Sequence, residues 1–133
     1  MARLVLKFGG TSVGDIDRIK AVAKRVKTEV DAGHEIAVAV SAMSGVTNQL
    51  VGYVDAVSPL YDAREYDVVV SSGEQVTSGL LALALQELGV EARSWQGWQI
   101  PIQTDDAHGK ARIESINGED VIKSMQAGEV VVV

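Results

Sequence analysis

Apolar β-prone segments alternate with amphipathic helical segments along the first half of the chain, and this alternation limits the possible folds more than any other feature. Residues 2–8 are a largely apolar, β-prone segment, and residues 36–40 are a continuous apolar run of strand length. Residues 16–30 and 46–57, which follow them, repeat apolar side chains at helical spacing, and Asp15 can cap the first helix. Because parallel strands need long crossover connections, this order predicts an α/β fold with a mainly parallel sheet and right-handed crossovers.

The second half of the chain contains one ambiguous stretch. Residues 67–70 have the pattern of a strand, whereas residues 76–88 are plainly helical, so the local pattern leaves the structure before residue 76 open. The other elements are short, and we expect strands at 91–95, 100–104 and 111–116, a helix at 119–126 and a buried strand in the closing valines. A β-branched run that ends the sequence predicts that the natural chain continues.

Composition narrows the possible functions. With 133 residues and 47% apolar content, the chain is long enough for one domain with a buried core. Its net charge of −6 provides no basic surface for nucleic acid or anionic lipid, and we expect no run of the roughly 20 apolar residues that span a bilayer. No cysteine and only two histidines are present, which argues against disulfides and a protein-held metal. We therefore expect a cytoplasmic protein without a nucleic acid or membrane partner.

The strongest local motif joins the first strand to the first helix. It reads Lys7-Phe8-Gly9-Gly10-Thr11-Ser12-Val13-Gly14. The lysine precedes the glycines, unlike in a P-loop, and the glycine spacing differs from that of a dinucleotide fingerprint. Adjacent glycines let backbone N–H groups approach phosphate oxygens, while the helix N-terminus and the lysine add positive charge. The motif favours a polyphosphate site, and a glycine-rich turn beside a surface lysine is the alternative.

Two further polar segments follow. Residues 41–48 lie where the second strand ends and a helix begins, the edge at which open α/β sheets bind ligands. The hydroxyls of Ser41, Ser44 and Thr47 could bind phosphate or a carboxylate, although serine and threonine also cap helices. Glu74 stands in a largely apolar segment, where it is either functional or simply solvated.

The three motifs, in this order and spacing, resemble the aspartate kinase family. Related amino-acid kinases share a lysine before paired glycines but lack Thr11-Ser12-Val13 combined with Ser41-Ala42-Met43 and Ser72-Gly73-Glu74. Residues 64–67 and 108–113 also look like family segments, so the resemblance covers the whole chain. It implies transfer of the γ-phosphoryl group of ATP to the side-chain carboxylate of L-aspartate. The product, 4-phospho-L-aspartate, begins lysine, threonine and methionine biosynthesis.

The resemblance also implies a role for each candidate residue. Lys7 would be catalytic through contact with the transferring phosphoryl group. The ATP phosphates would lie against Lys7, Phe8, Gly9, Gly10, Thr11, Ser12 and Ser41. Thr47 would contact the amino acid, and Glu74 would pair with its ammonium group. The cofactors would be ATP and Mg²⁺ held mainly by the nucleotide, and the carboxylate nucleophile, already ionised at neutral pH, needs no general base.

The architecture implied by the resemblance is a three-layer α/β/α sandwich around a mainly parallel sheet. Residues 1–133 would form the N-terminal, amino-acid-substrate part of an amino-acid kinase domain, without its nucleotide half or regulatory domains. The resemblance favours helix from about residue 64 to residue 88, with a break near Ser72-Gly73-Glu74. It also implies a hairpin among the short strands on the substrate side.

Two rival functions stay open. One is another acylphosphate-forming kinase, such as a glutamate 5-kinase, and the other is a non-catalytic truncated module that binds a partner subunit. The expected partners are L-aspartate, ATP and further kinase subunits, identical or different. We expect the 133-residue chain to be inactive by itself.

Overall fold

The computed structural model describes Met1–Val133 and contains a four-stranded parallel sheet and a separate two-stranded antiparallel one. The strands are β1 Arg3–Phe8, β2 Glu35–Val40, β3 Ala92–Ser94, β4 Ile102–Thr104, β5 Ile113–Ile116 and β6 Val130–Val132. The parallel sheet has the order β1-β2-β6-β3, and β4 pairs with β5. The predicted α/β class and the mainly parallel sheet are confirmed.

Five helices connect these strands. They are α1 Ile16–Asp31, α2 Val46–Val57, α3 Ala63–Val70, α4 Ser72–Glu87 and α5 Glu119–Gln126. The carboxylate of Asp15 caps α1 by accepting from the backbone N–H of Arg18, as the sequence predicts. Asp62 caps α3 in the same way.

The helices form a layer on each face of the parallel sheet. The crossovers from β1 to β2 and from β2 to β3 run in one direction, so right-handedness places α1 and α4 on the same face. The connection from β3 back to β6 runs the other way and places α5 on the opposite face. The main core lies between α1, α4 and the sheet, where Ile19, Val38, Leu81 and Leu85 are buried. The three-layer arrangement is confirmed.

The stretch that was ambiguous in the sequence is helical. Residues 67–70 belong to α3, and Ser71 separates α3 from α4. The β-prone valines do not form a strand here, because Asp62 nucleates a helix just before them and no strand partner is adjacent. Val68 is 61% exposed, so its side chain lies on an outer helix face.

Together, α3 and α4 form a helical segment, Ala63–Glu87, that is long and apolar enough to cross a membrane by those two criteria. The sequence-based prediction that no segment has this length and composition is therefore wrong. The segment is 33% buried over its most apolar part, and α4 packs on α1 and the sheet through Leu81 and Leu85. The core helix of a globular domain meets the same two criteria.

The β4–β5 hairpin lies outside the main sheet. The loop between these strands contacts α3, where the backbone N–H of Gly109 donates to Asp67 Oδ2 at 2.9 Å. Ile113 and Ile116 on β5 are 61% and 57% exposed. The predicted hairpin is present.

Candidate functional site

The loops that leave β1 and β2 lie side by side at the carboxyl edge of the sheet. The two strands pair in parallel from Arg3 with Glu35 to Phe8 with Val40, so both end at the same level. The backbone N–H of Ser41 then donates to the carbonyl of Phe8 at 3.2 Å. The two polar motifs that the sequence singled out are thereby in contact.

Two glycines permit this contact. A Cβ atom on Gly10 would lie 3.1 Å from the carbonyl oxygen of Ala42, and one on Gly14 would lie 3.1 Å from the Cβ of Ser44. Both distances are shorter than ordinary van der Waals contacts, so larger residues would push the loops apart. These glycines therefore serve close packing of the backbones.

The third motif reaches the same place through the start of α4. A Cβ on Gly73 would lie only 2.9 Å from the Cβ of Ala42. Glu74 Oε1 accepts a hydrogen bond from the backbone N–H of Ala42 at 3.3 Å. Ala42 is 4% exposed and touches both the glycine-rich loop and α4. All three predicted motifs thus converge on this one residue.

The convergence leaves a cavity of about 340 Å³ beside the β1 and β2 loops. Its lining consists of Gly10, Thr11, Ser41, Ala42, Met43, Ser44, Gly45, Thr47 and Asn48. Four residues predicted from the sequence, Gly10, Thr11, Ser41 and Thr47, are among them. No ionisable side chain lines the cavity, so its polarity comes from hydroxyls, an amide and the backbone.

Four of the residues that line this cavity have unpaired backbone N–H groups. The N–H groups of Gly10, Thr11, Thr47 and Asn48 donate to no acceptor within the chain. The last two belong to the first turn of α2, which begins after Gly45 at φ +78° without a side-chain cap. Free N–H groups at a helix N-terminus bind anions. The cavity therefore suits a phosphate or a carboxylate group.

A second cavity, of about 360 Å³, lies on the α1 side of the glycine-rich loop. Phe8, Thr11 and Ser12 line it together with Arg18 and Arg25. Thr11 borders both cavities. Arg18 and Arg25 are seven residues apart, a spacing that places both on the same side of α1, and sequence reasoning assigned neither of them a role.

Lys7 and Gly9 border neither cavity. Leu4, Leu6 and Phe8 pack toward α1 and α4, so Lys7, one residue along, projects from the opposite face of β1. Its ammonium group is exposed and makes no hydrogen bond or ion pair within the chain. Glu74 contacts Ala42 where the two loops meet, but neither the Glu74 side chain nor the Lys7 side chain lines the cavity.

Asn48 is a lining residue to which sequence reasoning assigned no role. It lines the cavity because it occupies the first turn of α2 immediately after Thr47. The helix start at Val46, which the sequence does predict, is the signal from which its position could have been deduced.

Known proteins provide an independent comparison. Residues 2–133 match the amino acid kinase family. The chain is 49% identical to an aspartokinase of Rickettsia felis and 52% identical to an aspartate kinase of Stutzerimonas stutzeri. Both matches cover 100% of this chain. Among solved structures, Synechocystis aspartate kinase matches 96% of the chain with a TM-score of 0.80 and 41% identity.

A fourth relative agrees in fold. Escherichia coli aspartokinase III in complex with aspartate and ADP matches 99% of the chain with a TM-score of 0.81 at 21% identity. The chain spans 34% and 32% of the two sequence relatives, and 21% and 40% of the two structural ones. On the match over residues 2–133, the chain belongs to the amino acid kinase family.

Proposed function

We propose that the protein is an aspartate kinase, which transfers the γ-phosphoryl group of ATP to the side-chain carboxylate of L-aspartate. The observation that carries the proposal is the convergence of the three motifs on Ala42, beside a cavity whose lining includes four residues with unpaired backbone N–H groups. Identities of 49% and 52% with an aspartokinase and an aspartate kinase over the whole chain support it.

The chemistry of the cavity agrees with this reaction. Phosphoryl transfer between two anions depends on positioning and on electrostatic stabilisation more than on covalent chemistry by the protein. The N–H groups of Gly10 and Thr11 suit phosphate oxygens, and Phe8, Gly9, Ser12 and Ser41 complete that side in the proposal. Thr47, at the start of α2, suits a substrate carboxylate. Glu74 supplies the negative charge that a substrate ammonium group requires.

In this proposal Lys7 completes the site from the other face of β1. Its long, flexible side chain carries a full positive charge one residue before Phe8, at the edge where both loops leave the sheet. Such a charge stabilises the negative charge spread over a transferring phosphoryl group. The role requires the ammonium to turn over the end of the strand toward the nucleotide.

We propose that Mg²⁺ enters with ATP and is held mainly by the nucleotide. The cavity offers N–H and hydroxyl donors, which fit phosphate oxygens and give a cation few ligands. No group of three histidine or acidic side chains is arranged to hold a metal ion. When bound, Mg²⁺ supplies charge neutralisation between the phosphates.

We further propose that residues 1–133 form the amino-acid-substrate side of the kinase domain. The chain spans about a third of the length of its two aspartokinase relatives. In this proposal the nucleotide half corresponds to a part of those relatives that the chain does not span. The 133-residue chain alone is then expected to form no aspartyl phosphate, because it supplies only part of the site.

The activity is tested by assaying a panel of amino-acid substrates with the full-length protein that contains residues 1–133. Trapping the acyl phosphate with hydroxylamine should give product with L-aspartate and ATP, and little with L-glutamate. Lys7→Met should lower kcat by roughly 10²–10³ with a smaller effect on KM, as for loss of one transition-state donor. Turnover of glutamate in preference to aspartate would support the glutamate 5-kinase alternative.

A subunit partner is the remaining part of the proposal, and the outer face of α4 supports it. Between Glu74 and Glu87 the helix has no charged residue, and Val76 and Leu83 are 55% and 61% exposed. Gly79 lies between them with open space beside it. Because the chain carries a net charge of −6, copies meet most readily through an uncharged face.

In this proposal the face pairs with the same face of a second copy in antiparallel orientation. Gln86 donates its side-chain amide to the carbonyl of Ala92 at 3.0 Å, which leaves its side-chain oxygen free to accept. Gln75 of a second copy would lie opposite and could donate to it. Leu83→Lys should therefore convert dimers to monomers in sedimentation experiments. Leu60, which is 95% exposed, lies outside this face, so Leu60→Lys should leave the dimer intact. A wild-type protein that stays monomeric as its concentration rises would exclude this interface.

A further inference from the structure

All three tyrosines of the chain line one groove, at the opposite end of α2 from the cavity. Tyr53 belongs to α2, Tyr61 to the connecting loop and Tyr66 to α3. The remaining lining residues are Val54, Val57, Ser58, Asp62, Glu65 and Val69. The groove has a volume of about 360 Å³, which is in the range of small-molecule sites. No residue of the proposed kinase site takes part in it.

The aromatic rings are held in place by contacts within the chain. Tyr61 and Tyr66 stack with ring centroids 4.9 Å apart and an angle of 18° between their planes. The hydroxyl of Tyr53 accepts a hydrogen bond from the side-chain amide of Gln49 at 2.9 Å. Tyr53 and Tyr61 nevertheless remain 56% and 44% exposed, so ring surface is available to a ligand.

Two carboxylates border the rings, and no basic side chain lines the groove. Asp62 Oδ1 accepts from the backbone N–H groups of Arg64 and Glu65 at 3.0 and 3.2 Å, while Oδ2 has no partner. Glu65 Oε1 accepts from the Arg64 guanidinium at 2.8 Å, while Oε2 has no partner. One arginine beside two carboxylates leaves net negative charge.

We propose that this groove binds a small organic cation with an apolar body, such as a quaternary or alkylated ammonium ion. A cation over the face of a tyrosine is attracted by the ring electrons, and the free oxygens of Asp62 and Glu65 add opposite charge. Val57 and Val69 provide the apolar walls that accept the body of the ligand. Neutral ligands gain only the apolar contact, and anions are repelled.

Choline and its neutral isostere 3,3-dimethylbutan-1-ol test the proposal, because they share a shape and differ in charge. The full chain is prepared with ring-labelled tyrosine, so that every labelled resonance reports on the groove. Choline should shift the three tyrosine signals with saturation, and the neutral isostere should bind about tenfold more weakly. Equal binding of the two compounds, or no shift with choline, would overturn the proposal.

Two substitutions separate ring and charge contributions. Tyr66→Leu should abolish the choline-induced shifts of the remaining tyrosines, and Glu65→Gln should weaken choline binding several-fold. Glu87→Gln removes an acidic side chain outside the groove and is the matched control, for which no change is expected. Unchanged choline affinity in Glu65→Gln would contradict the charge contribution. Shifts that depend on protein concentration without choline would identify the groove as a contact between copies and overturn the proposal.

Discussion

The two concave regions at the ends of α2 are built by opposite means. The cavity at the sheet edge is lined by backbone and small side chains, and its donors are N–H groups. The groove at the other end is lined by three tyrosines and two carboxylates. The cavity depends on glycines that have no side chain, because added Cβ atoms would separate its loops. The groove depends on long side chains, so shortening one of them should weaken ligand binding there.

Adding an isopropyl group to the cavity side should give the largest effect. In Gly73→Val the new Cβ would lie 2.9 Å from the Cβ of Ala42, a distance that requires the backbone to move. We expect the free energy of unfolding to fall by about 1–3 kcal/mol, as for overpacked cores. Urea denaturation measures this change. The Glu74 contact with Ala42 should be lost together with it.

Gly79→Ala is the control in the same helix. A Cβ at Gly79 meets nothing within 4 Å, and alanine favours helix over glycine by up to about 1 kcal/mol. Stability should therefore stay the same or rise. Equal loss of stability in the Gly73 and Gly79 variants would mean that replacing any glycine of α4, and not contact with Ala42, explains the first result.

Removing a charge from the cavity side without changing its shape should have an intermediate effect. Glu74→Gln keeps a side-chain oxygen that can accept from the N–H of Ala42, so stability should hardly change. The ammonium group of the substrate would lose the opposite charge that Glu74 provides. We therefore expect KM for aspartate, measured with the full-length protein that contains residues 1–133, to rise at least about tenfold. Steady-state kinetics measure this, with Glu87→Gln as control. An unchanged KM would remove Glu74 from the substrate site.

Elements governed by local pattern were predictable from the sequence. The limits of α2 and α5 agree with the structure, because Val46 to Val57 and Glu119 to Gln126 are bounded by clear turn signals. The helical state of residues 67–70 followed from the family resemblance, since the local pattern equally allowed a strand. The strand order β1-β2-β6-β3 depends on contacts between segments that are distant in sequence, so it cannot be predicted from the periodicity of apolar residues.

The candidate site was predictable as far as its motifs reach. The sequence identified the three segments that meet at Ala42, because glycines and hydroxyls follow apolar runs there. It did not identify Ala42 itself, whose role comes from being small where three backbones meet. The tyrosine groove was also missed, since Tyr53, Tyr61 and Tyr66 belong to three separate elements that only tertiary structure brings together.

The smallest expected effect concerns the cap between the groove and α3. Asp62→Ala removes two backbone contacts and should cost about 1 kcal/mol of unfolding free energy, while choline affinity falls. Asp15→Ala removes the equivalent cap of α1 and should cost a similar amount with choline affinity unchanged. Asp62→Asn separates the two roles, because asparagine caps helices as well as aspartate but has no charge. It should retain wild-type stability in urea and still bind choline more weakly. If Asp62→Asn binds choline as the wild type does, the aromatic rings and Glu65 account for all of the attraction, and Asp62 is only a structural cap.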